Sequence, residues 1–345
     1  MTSSREIRDH LQYALAHWRP DEECPFHPEQ QQYQDNEQGQ LITLHLCGQE
    51  LSEVPFEVWQ CPTLQELFLD HNQLSTLPAT SDHLSALRIL SLGNNRFRTP
   101  PDEVGNLPAL QILDLGENQL RTFPTVLGNL PNLRYLFLSN NQLQIIPAEL
   151  GNCSALHYLA VNDNQLSTLP VEVGNLSSLN LLDLSYNRLT SLPAEIGQLS
   201  SLCYLDMREN QLRSLPAEVG NLSSLRRLDA RNNRLRSLPV EVGRLSSLRV
   251  LFLEKNQLRS LPTEIGDLSS LQVLELNNNR LTSLPAEVGN LSSLRSLFLK
   301  HNQLNTLPSE VGNLFSLRYL DVRENRLNAL PFEAGRFPSL QRLEW

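Results

Sequence analysis

Four residues near the amino-terminal end of the chain have types and spacing that could support catalysis or metal binding. His45 and Cys47 share one face of a predicted strand, and Asp70 and His71 lie on the next predicted strand. Cysteine, histidine and aspartate within reach of one another can form an activated nucleophile or a set of metal ligands. We favour neither arrangement, because the sequence gives no sign of oxyanion donors or of a pocket that excludes water.

Other signatures of enzymes are missing from the sequence. It contains no phosphate-binding glycine loop, no Gly-x-Ser-x-Gly and no His-Glu-x-x-His. Cys24 and His27 lie close together but lack two further ligands at the spacing of a zinc site. A glutamate recurs once per 23 residues from Glu172 to Glu310, which indicates a solvated surface and not paired acid–base groups. We therefore predict no catalytic residue, no metal site and no cofactor.

The elements that position these residues come from a 23-residue repeat. Thirteen copies run without insertion or deletion from Leu41 to Ser339, and a fourteenth stops at Trp345. Repeat 1 begins at Leu41, and positions 1 to 23 are counted from the first residue of each copy. A typical copy reads Leu-x-x-Leu-x-Leu-x-x-Asn-x-Leu-x-x-Leu-Pro-x-Glu-Val-Gly-Asn-Leu-Ser-Ser. Self-similarity at a fixed period predicts a solenoid in which each repeat packs only on its neighbours.

Each part of the repeat predicts a local structure. Positions 3 to 7 alternate as in a short strand, with positions 4 and 6 buried and positions 3, 5, 7 and 8 facing solvent. The Asn at position 9, present in twelve of the thirteen complete copies, is expected to bond the backbone of its own turn and of the adjacent repeat. The Leu-Pro pair predicts an extended segment, and the glycine at position 19 predicts a tight turn. The outer segment lacks a full helical pattern, so we expect extended or 3₁₀ structure there.

The run Leu-Pro-x-Glu-Val/Ile-Gly-x-Leu-Ser-Ser-Leu resembles the leucine-rich repeat family in its 23-residue form, and most of all the intracellular Ras-group members and their bacterial relatives. The resemblance covers residues 41–345. It implies an α/β-type leucine-rich repeat solenoid, or horseshoe, with a parallel β-sheet on the concave face and extended or 3₁₀ segments on the convex face. It also implies a protein partner on the concave face, with a small GTPase or a signalling enzyme as the expected class.

Two further segments precede the solenoid of residues 41–345. Residues 1–20 are predicted to form an amphipathic helix that caps the first repeat, because Ser3 and Glu6 have the spacing of a capping box and the apolar residues that follow share one helical face. A helix for partner binding or targeting is the alternative. Residues 21–40 are rich in glutamine and acids, which predicts a poorly ordered polar connector.

Charge is distributed unevenly along the chain. The net charge is −10, with −14 on residues 1–201 and +4 on residues 202–345. This uneven distribution favours a partner with a complementary charge distribution, or head-to-tail self-association. The alternative is that the asymmetry arose by neutral sequence change at solvent-exposed positions. Nucleic acid is not an expected partner, because the arginines of the basic half are interleaved with acids.

Cysteine usage and hydropathy bear on location. The five cysteines are scattered and form no CxxC pair, which favours a reducing, cytoplasmic compartment. No apolar run approaches the ~18–20 residues that span a bilayer.

The exposed strand positions form the candidate binding surface. Residues at position 3 of six successive repeats form a predicted apolar stripe, namely Ile89, Ile112, Tyr135, Tyr158, Leu181 and Tyr204. Phe137 and Tyr186 widen it. Exposed aromatic side chains of this kind are typical of interaction sites, since tyrosine offers a large contact area with little loss of side-chain entropy. The alternative is that the stripe only shields the sheet.

The carboxy-terminal half of the same face is charged. Aspartate and arginine recur two residues apart on the predicted strands. This pattern predicts a polar part of the interface that sets the register and the specificity of partner binding. The alternative is that these residues are surface ion pairs that neutralise each other. Over both halves, the predicted protein-binding residues are Ile112, Tyr135, Phe137, Tyr158, Leu181, Tyr186, Tyr204, Asp206, Arg208, Asp229, Arg231, Phe252, Phe298 and Tyr319.

The sequence as a whole favours a non-enzymatic protein-binding scaffold. The recognition part of a multidomain enzyme, of the GTPase or ubiquitin ligase type, is an alternative that the abrupt end at Trp345 favours. A secreted bacterial effector and a structural role in head-to-tail assembly are the others.

Overall fold

One strand from each repeat contributes to a single continuous sheet. The computed structural model describes residues 33–78, 84–330 and 338–345, and in it fifteen strands pair in chain order. The strands are β1 Tyr33–Asp35, β2 Leu41–His45, β3 Glu66–Phe68, β4 Ile89–Ser91, β5 Ile112–Asp114, β6 Tyr135–Phe137, β7 Tyr158–Ala160, β8 Leu181–Asp183, β9 Tyr204–Asp206, β10 Arg227–Asp229, β11 Val250–Phe252, β12 Val273–Glu275, β13 Ser296–Phe298, β14 Tyr319–Asp321 and β15 Arg342–Glu344. From β2 onward all described pairs are parallel and join equal repeat positions, which confirms the predicted parallel sheet of the solenoid.

The first strand departs from the pattern. β1 pairs antiparallel with β2, with Tyr33 opposite Leu44. It lies within residues 21–40, so the predicted lack of order is wrong for residues 33–35. The strand covers backbone groups that would otherwise be unpaired at the edge of the sheet. The predicted helix over residues 1–20 and residues 21–32 of the connector lie outside the described residues.

Leucines from every repeat merge into one hydrophobic core. Leu133, Leu136, Leu138 and Leu143, at positions 1, 4, 6 and 11 of repeat 5, are all 0% exposed. Full burial of a leucine side chain contributes ~1.5–3 kcal/mol. The same positions in neighbouring repeats belong to the same cluster, so each repeat depends on its neighbours to bury its apolar face.

Short 3₁₀ helices form the outer side and confirm the expected extended or 3₁₀ structure. Each begins directly after a proline and covers positions 16 to 20. The described helices are Phe56–Gln60, Asp102–Asn106, Thr125–Asn129, Ala148–Asn152, Val171–Asn175, Ala194–Gln198, Ala217–Asn221, Val240–Arg244, Thr263–Asp267, Ala286–Asn290 and Ser309–Asn313.

The asparagines at position 9 form a ladder between repeats. The Asn210 amide nitrogen donates to Leu184 O at 2.9 Å and to Met207 O at 3.1 Å. Its side-chain oxygen accepts from Leu189 N at 2.9 Å. The ladder satisfies buried backbone groups of two adjacent repeats, as the sequence predicts.

The glycine at position 19 has a different role from the predicted one. Among the described glycines, only Gly39 and Gly48 have positive φ angles, so the glycines at position 19 are not needed for a left-handed turn. A Cβ atom built on Gly220 would lie 2.3 Å from Glu241 O in the next repeat. The glycines lie in the outer 3₁₀ turns, as predicted, for example Gly220 in Ala217–Asn221, but glycine is required there because neighbouring coils approach closely.

The left-handed conformation occurs instead at position 8, just beyond the strand. There φ lies between 50° and 55° in twelve non-glycine residues, from His71 to Glu324. This conformation is costly for a bulky side chain. Tyr186, with φ 51°, has the largest side chain among them.

Candidate functional site

The predicted apolar stripe runs across six adjacent strands, β4 to β9. Its members lie opposite one another in successive pairs, from Ile89 and Ile112 to Leu181 and Tyr204. Neighbouring strands in a sheet are ~4.8 Å apart, so the side chains form an uninterrupted surface. Tyr204 is 42% exposed, and the five other members are half-buried. The structure therefore brings together all of the residues predicted for this stripe.

Aromatic contacts hold the centre of the stripe in place. The rings of Phe137 and Tyr158 lie 5.0 Å apart between centroids, and Tyr135 stacks on His157 at 6.5 Å. Such pairs contribute ~0.5–1.5 kcal/mol beyond the area that they bury. Tyr158 is thus fixed by its neighbour before any ligand binds.

A strip of mostly small residues lies beside the stripe. At position 7, Gly93 and Gly116 have no side chain and Ser139 and Ser185 are only 1% exposed, while Asn162 is the larger residue between the two serines. At position 5, Ala160 is also buried, at 1% exposure. The carboxylates of Asp70 and Asp114 occupy the space next to Gly93 and Gly116, so aspartates and not bulky apolar side chains border this strip.

Four aspartates at position 5 lie next to this strip; we call Asp114, Asp183, Asp206 and Asp229 the aspartate row. Asp183, Asp206 and Asp229 lie opposite one another on β8, β9 and β10. Burial, with the nearby charge of Asp70, raises the pKa of Asp114 to about 7. Burial also raises the pKa of Asp183. Neither Asp114 nor Asp183 forms an ion pair with another described residue.

The negative field of the row extends to the stripe. Burial raises the pKa of the Tyr158 hydroxyl, and the charges of Asp183, Asp206 and Asp114 raise it further. An aromatic ring among carboxylates is a favourable place for a cation, because the ring face and the carboxylates both attract positive charge. The centre of the face is therefore suited to a lysine or arginine side chain of a partner.

Asp229 is the last aspartate of the row, and it differs from the others because it is fully buried and paired with two arginines. It is 0% exposed, and its carboxylate binds Arg231 at 2.6 Å and Arg227 at 3.4 Å. Both guanidinium groups also lie 4.8 Å from the ring centroid of Phe252. Asp229 is therefore inaccessible to a partner, and its role is to hold two arginines on the surface of the face.

The remaining charged residues form similar pairs further along the sheet. Asp206 lies 3.7 Å from Arg208, whose guanidinium also lies over the Tyr186 ring at 5.6 Å. Asp321 accepts hydrogen bonds of 3.0 and 2.7 Å from Arg323. These contacts confirm that the predicted acid and base side chains share one side of the strand.

The two predicted aromatic residues near the carboxy-terminal end lie on separate strands. Phe298 on β13 lies opposite Glu275 on β12, and Tyr319 on β14 is 41% exposed.

The four residues near the amino-terminal end lie at the ends of two neighbouring strands: His45 ends β2, and Cys47, Asp70 and His71 lie just beyond β2 and β3. Asp70 accepts hydrogen bonds from Ser91 Oγ at 2.6 Å and Gly93 N at 2.9 Å, and its second oxygen contacts Cys47 Sγ at 3.6 Å. His45 stacks on Phe68 with 4.5 Å between centroids. Within the described residues, no three His, Cys, Asp or Glu side chains are grouped as metal ligands.

The strip of small residues and the first two aspartates of the row were not predicted from the sequence. Asp114 and Asp183 stand alone in their repeats, without an arginine two residues later. A signal was present in the sequence, since positions 5 and 7 of repeats 3 to 7 combine aspartates with glycine and serine. Apart from Phe137 and Asn162, these positions could have been recognised as an acidic strip of small side chains next to the tyrosines.

Family models match most of the chain. A model described as leucine-rich repeat region matches residues 140–207 and 240–303. A leucine rich repeat model matches residues 39–97 and 99–143, and a further one matches residues 293–314. A comparison with curated proteins gave no significant match.

Solved structures of leucine-rich repeat proteins are similar to this chain. A leucine-rich repeat protein of Leptospira interrogans is 33% identical with a TM-score of 0.58, over 83% of this chain and 90% of that one. An internalin of Listeria monocytogenes is 26% identical with a TM-score of 0.74, over 88% and 87% of the two chains. The ectodomain of the plant receptor kinase GASSHO1/SCHENGEN3 of Arabidopsis thaliana, solved in complex with Casparian strip integrity factor 2, is 34% identical with a TM-score of 0.68. That match covers 88% of this chain but only 41% of the plant ectodomain.

The described part of the chain holds no helix of the length and apolarity that crossing a membrane requires.

Proposed function

Because this chain belongs to the leucine-rich repeat family, we propose that it is a non-enzymatic scaffold that binds a partner protein on its concave face. The observation that carries the proposal is the unbroken register of the apolar stripe beside the aspartate row. The stripe offers apolar area for an anchor, and the row offers two carboxylates, Asp114 and Asp183, that form no ion pair within the described residues.

The chemistry of the face defines the partner in more detail. We expect an exposed apolar segment that carries a lysine or arginine, whose cation lies near Tyr158 between Asp114 and Asp183. Toward the carboxy-terminal half, Arg227 and Arg231 offer guanidinium groups to an acid of the partner. Opposite charges at the two ends of the face would fix the orientation of the partner.

The class of the partner and the cellular compartment are proposed from the sequence. The resemblance to the Ras-group members suggests a small GTPase or another signalling enzyme as the partner. The odd number and scatter of the five cysteines support a reducing, cytoplasmic compartment.

A capture experiment from native lysate tests the proposal. Wild-type protein, a Tyr135→Ala/Tyr158→Ala/Tyr204→Ala variant and a Phe315→Ala control are immobilised, and the retained proteins are quantified by mass spectrometry. Phe315 is a matched control because it is 62% exposed and lies outside the sheet. We expect one protein to be retained by wild type and control and lost by the triple variant.

The folding of the triple variant is checked by circular dichroism, because Tyr158 packs on Phe137. Equal recovery on all three proteins, or no protein enriched over an empty support, would contradict binding through the stripe.

A further inference from the structure

A second exposed surface lies on the side of the solenoid where the chain leaves the sheet. It is formed by positions 10 to 14, in which the leucines face inward and the residues between them face solvent. In repeat 9, Leu235 and Leu238 are buried at 0% and 6% exposure, whereas Arg234 and Arg236 are exposed. This side is separate from the concave face, so both surfaces can be occupied together.

From repeat 2 onward, arginine is concentrated on this side and acids are missing from it. From repeat 2 to repeat 13, positions 10 to 14 contain ten arginines and neither aspartate nor glutamate. The densest part lies in repeats 8 to 11, and all of its arginines are exposed. We call this part the arginine patch; it comprises Arg213, Arg234, Arg236, Arg259 and Arg280.

The patch contains unbalanced positive charge. None of its five guanidinium groups forms an ion pair or a side-chain hydrogen bond with another described residue. Like charges on neighbouring coils repel one another, so the free protein carries a local excess of positive charge that an anion would neutralise. The arginines of the concave face contrast with this, since Arg231 and Arg323 both bind aspartates.

Two open clefts also lie between these arginines. One cleft of about 370 Å³ is lined by Arg213, Arg234, Arg236 and Gln257. A second, of about 360 Å³, is lined by Arg236, Gln257, Arg259 and Arg280. The two clefts share Arg236 and Gln257 and therefore form one track. Guanidinium groups bind carboxylates through two parallel hydrogen bonds, and the glutamine amide can both donate and accept.

We propose that the arginine patch binds a short, extended acidic segment of a partner protein. Four adjacent coils span about 14 Å at the ~4.8 Å strand spacing, which matches about four residues of extended polypeptide. A long polyanion fits less well, because the whole chain has a net charge of −10 and repels it beyond the patch. Positions 10 to 14 of repeats 7 to 11 also contain no aromatic residue on which the bases of a single-stranded nucleic acid would stack.

Anisotropy of fluorescein-labelled hexaglutamate tests this proposal at ~50 mM salt, where surface charges are weakly screened. The test variant is Arg234→Gln/Arg236→Gln. The matched control is Arg226→Gln/Arg249→Gln, which removes the same charge from two exposed arginines at position 2, on the other side of the sheet. We expect hexaglutamate to bind wild type, with a Kd about 10-fold higher for the test variant and less than about 2-fold higher for the control.

Three results would overturn the proposal. Equal weakening by both variants would show a general charge effect and no site. Binding of a labelled hexanucleotide, lost in the test variant, together with no binding of hexaglutamate would assign the patch to nucleic acid. Self-association in sedimentation velocity that is lost only in the test variant would assign it to a second copy of this chain. Circular dichroism of both variants confirms that they are folded.

Discussion

The Arg231 guanidinium donates two hydrogen bonds, of 2.9 and 2.6 Å, to the two carboxylate oxygens of Asp229. The carboxylate is fully buried, while the Arg231 side chain is 25% exposed. On the neighbouring strand, Asp206 lies directly opposite Asp229, yet the guanidinium group of Arg208 lies 3.7 Å from its carboxylate. Burial and the charges of Asp183 and Asp229 raise the pKa of Asp206 to about 6. Two equivalent aspartates thus have opposite electrostatic environments.

This contrast predicts opposite effects of the same substitution. Asp229→Asn removes the charge that holds Arg231 and Arg227, and should lower the free energy of unfolding at pH 7 by ~2–4 kcal/mol. Asp206→Asn removes a negative charge that the carboxylates of Asp183 and Asp229 repel. The substitution should leave the free energy of unfolding unchanged or raise it by up to ~1 kcal/mol. Urea unfolding followed by circular dichroism measures both values. A greater loss from Asp206→Asn than from Asp229→Asn would refute the assignment.

The raised pKa of Asp114 predicts a pH dependence of stability. Its folded-state pKa of about 7 exceeds the unfolded value of ~3.9, so the folded protein holds a proton that the unfolded chain has released. The stabilisation is present below the unfolded pKa and is lost as the pH rises through the folded pKa. Wild type should therefore lose stability between pH 5 and pH 8 through this group.

Asp114→Asn tests the origin of that loss. The asparagine oxygen can still accept the hydrogen bond from Gly116 N, which is 2.7 Å long in the wild type. The difference in the free energy of unfolding between variant and wild type should grow in favour of the variant by ~2–3 kcal/mol from pH 5 to pH 8. A difference that stays constant over this range would show that Asp114 does not titrate there.

Close approach between coils predicts that Gly220→Ala is destabilising. Alanine favours helical backbone over glycine, but its Cβ would lie 2.3 Å from Glu241 O. We expect a loss of ~1–3 kcal/mol in the free energy of unfolding, as for overpacked cores. Gly39→Ala is the control, because a Cβ atom added there would have no neighbour within 4 Å and only the φ of 70° is unfavourable. The control should lose ~1 kcal/mol, and an equal loss in both would count against steric contact.

Proton release should accompany binding of a basic partner to the aspartate row. Asp114 and Asp206, with pKa values of about 7 and about 6, are partly protonated in the free protein. A cation lowers both pKa values, so affinity should rise about 10-fold between pH 5.5 and pH 7.5. Once a partner has been captured, calorimetry in two buffers with different ionisation enthalpies measures the protons released. No release together with a flat affinity would place the partner away from the row.

The regularity of the repeat made the local structure predictable. The position of Asn210 within its repeat is sufficient to predict a buried amide that joins two coils, and the alternation around Leu136 predicts the strand. The sequence predicted the outer turn at Gly220 but not the reason for glycine there, because glycine can serve either backbone conformation or close packing, and one repeat does not specify its distance to the next. The conformation of Tyr186 was missed for a related reason, since no single residue type marks position 8.

The sequence by itself determined the solenoid, the order and register of its strands and the apolar stripe, because a fixed period places equal positions side by side. The tertiary structure decided which charged side chains form ion pairs. Asp229 is neutralised by two arginines while Asp114 is not, and the arginines around Gln257 face solvent without an acid. These outcomes depend on burial and on distances of a few ångströms between side chains of neighbouring coils, which neither the period nor the residue types specify.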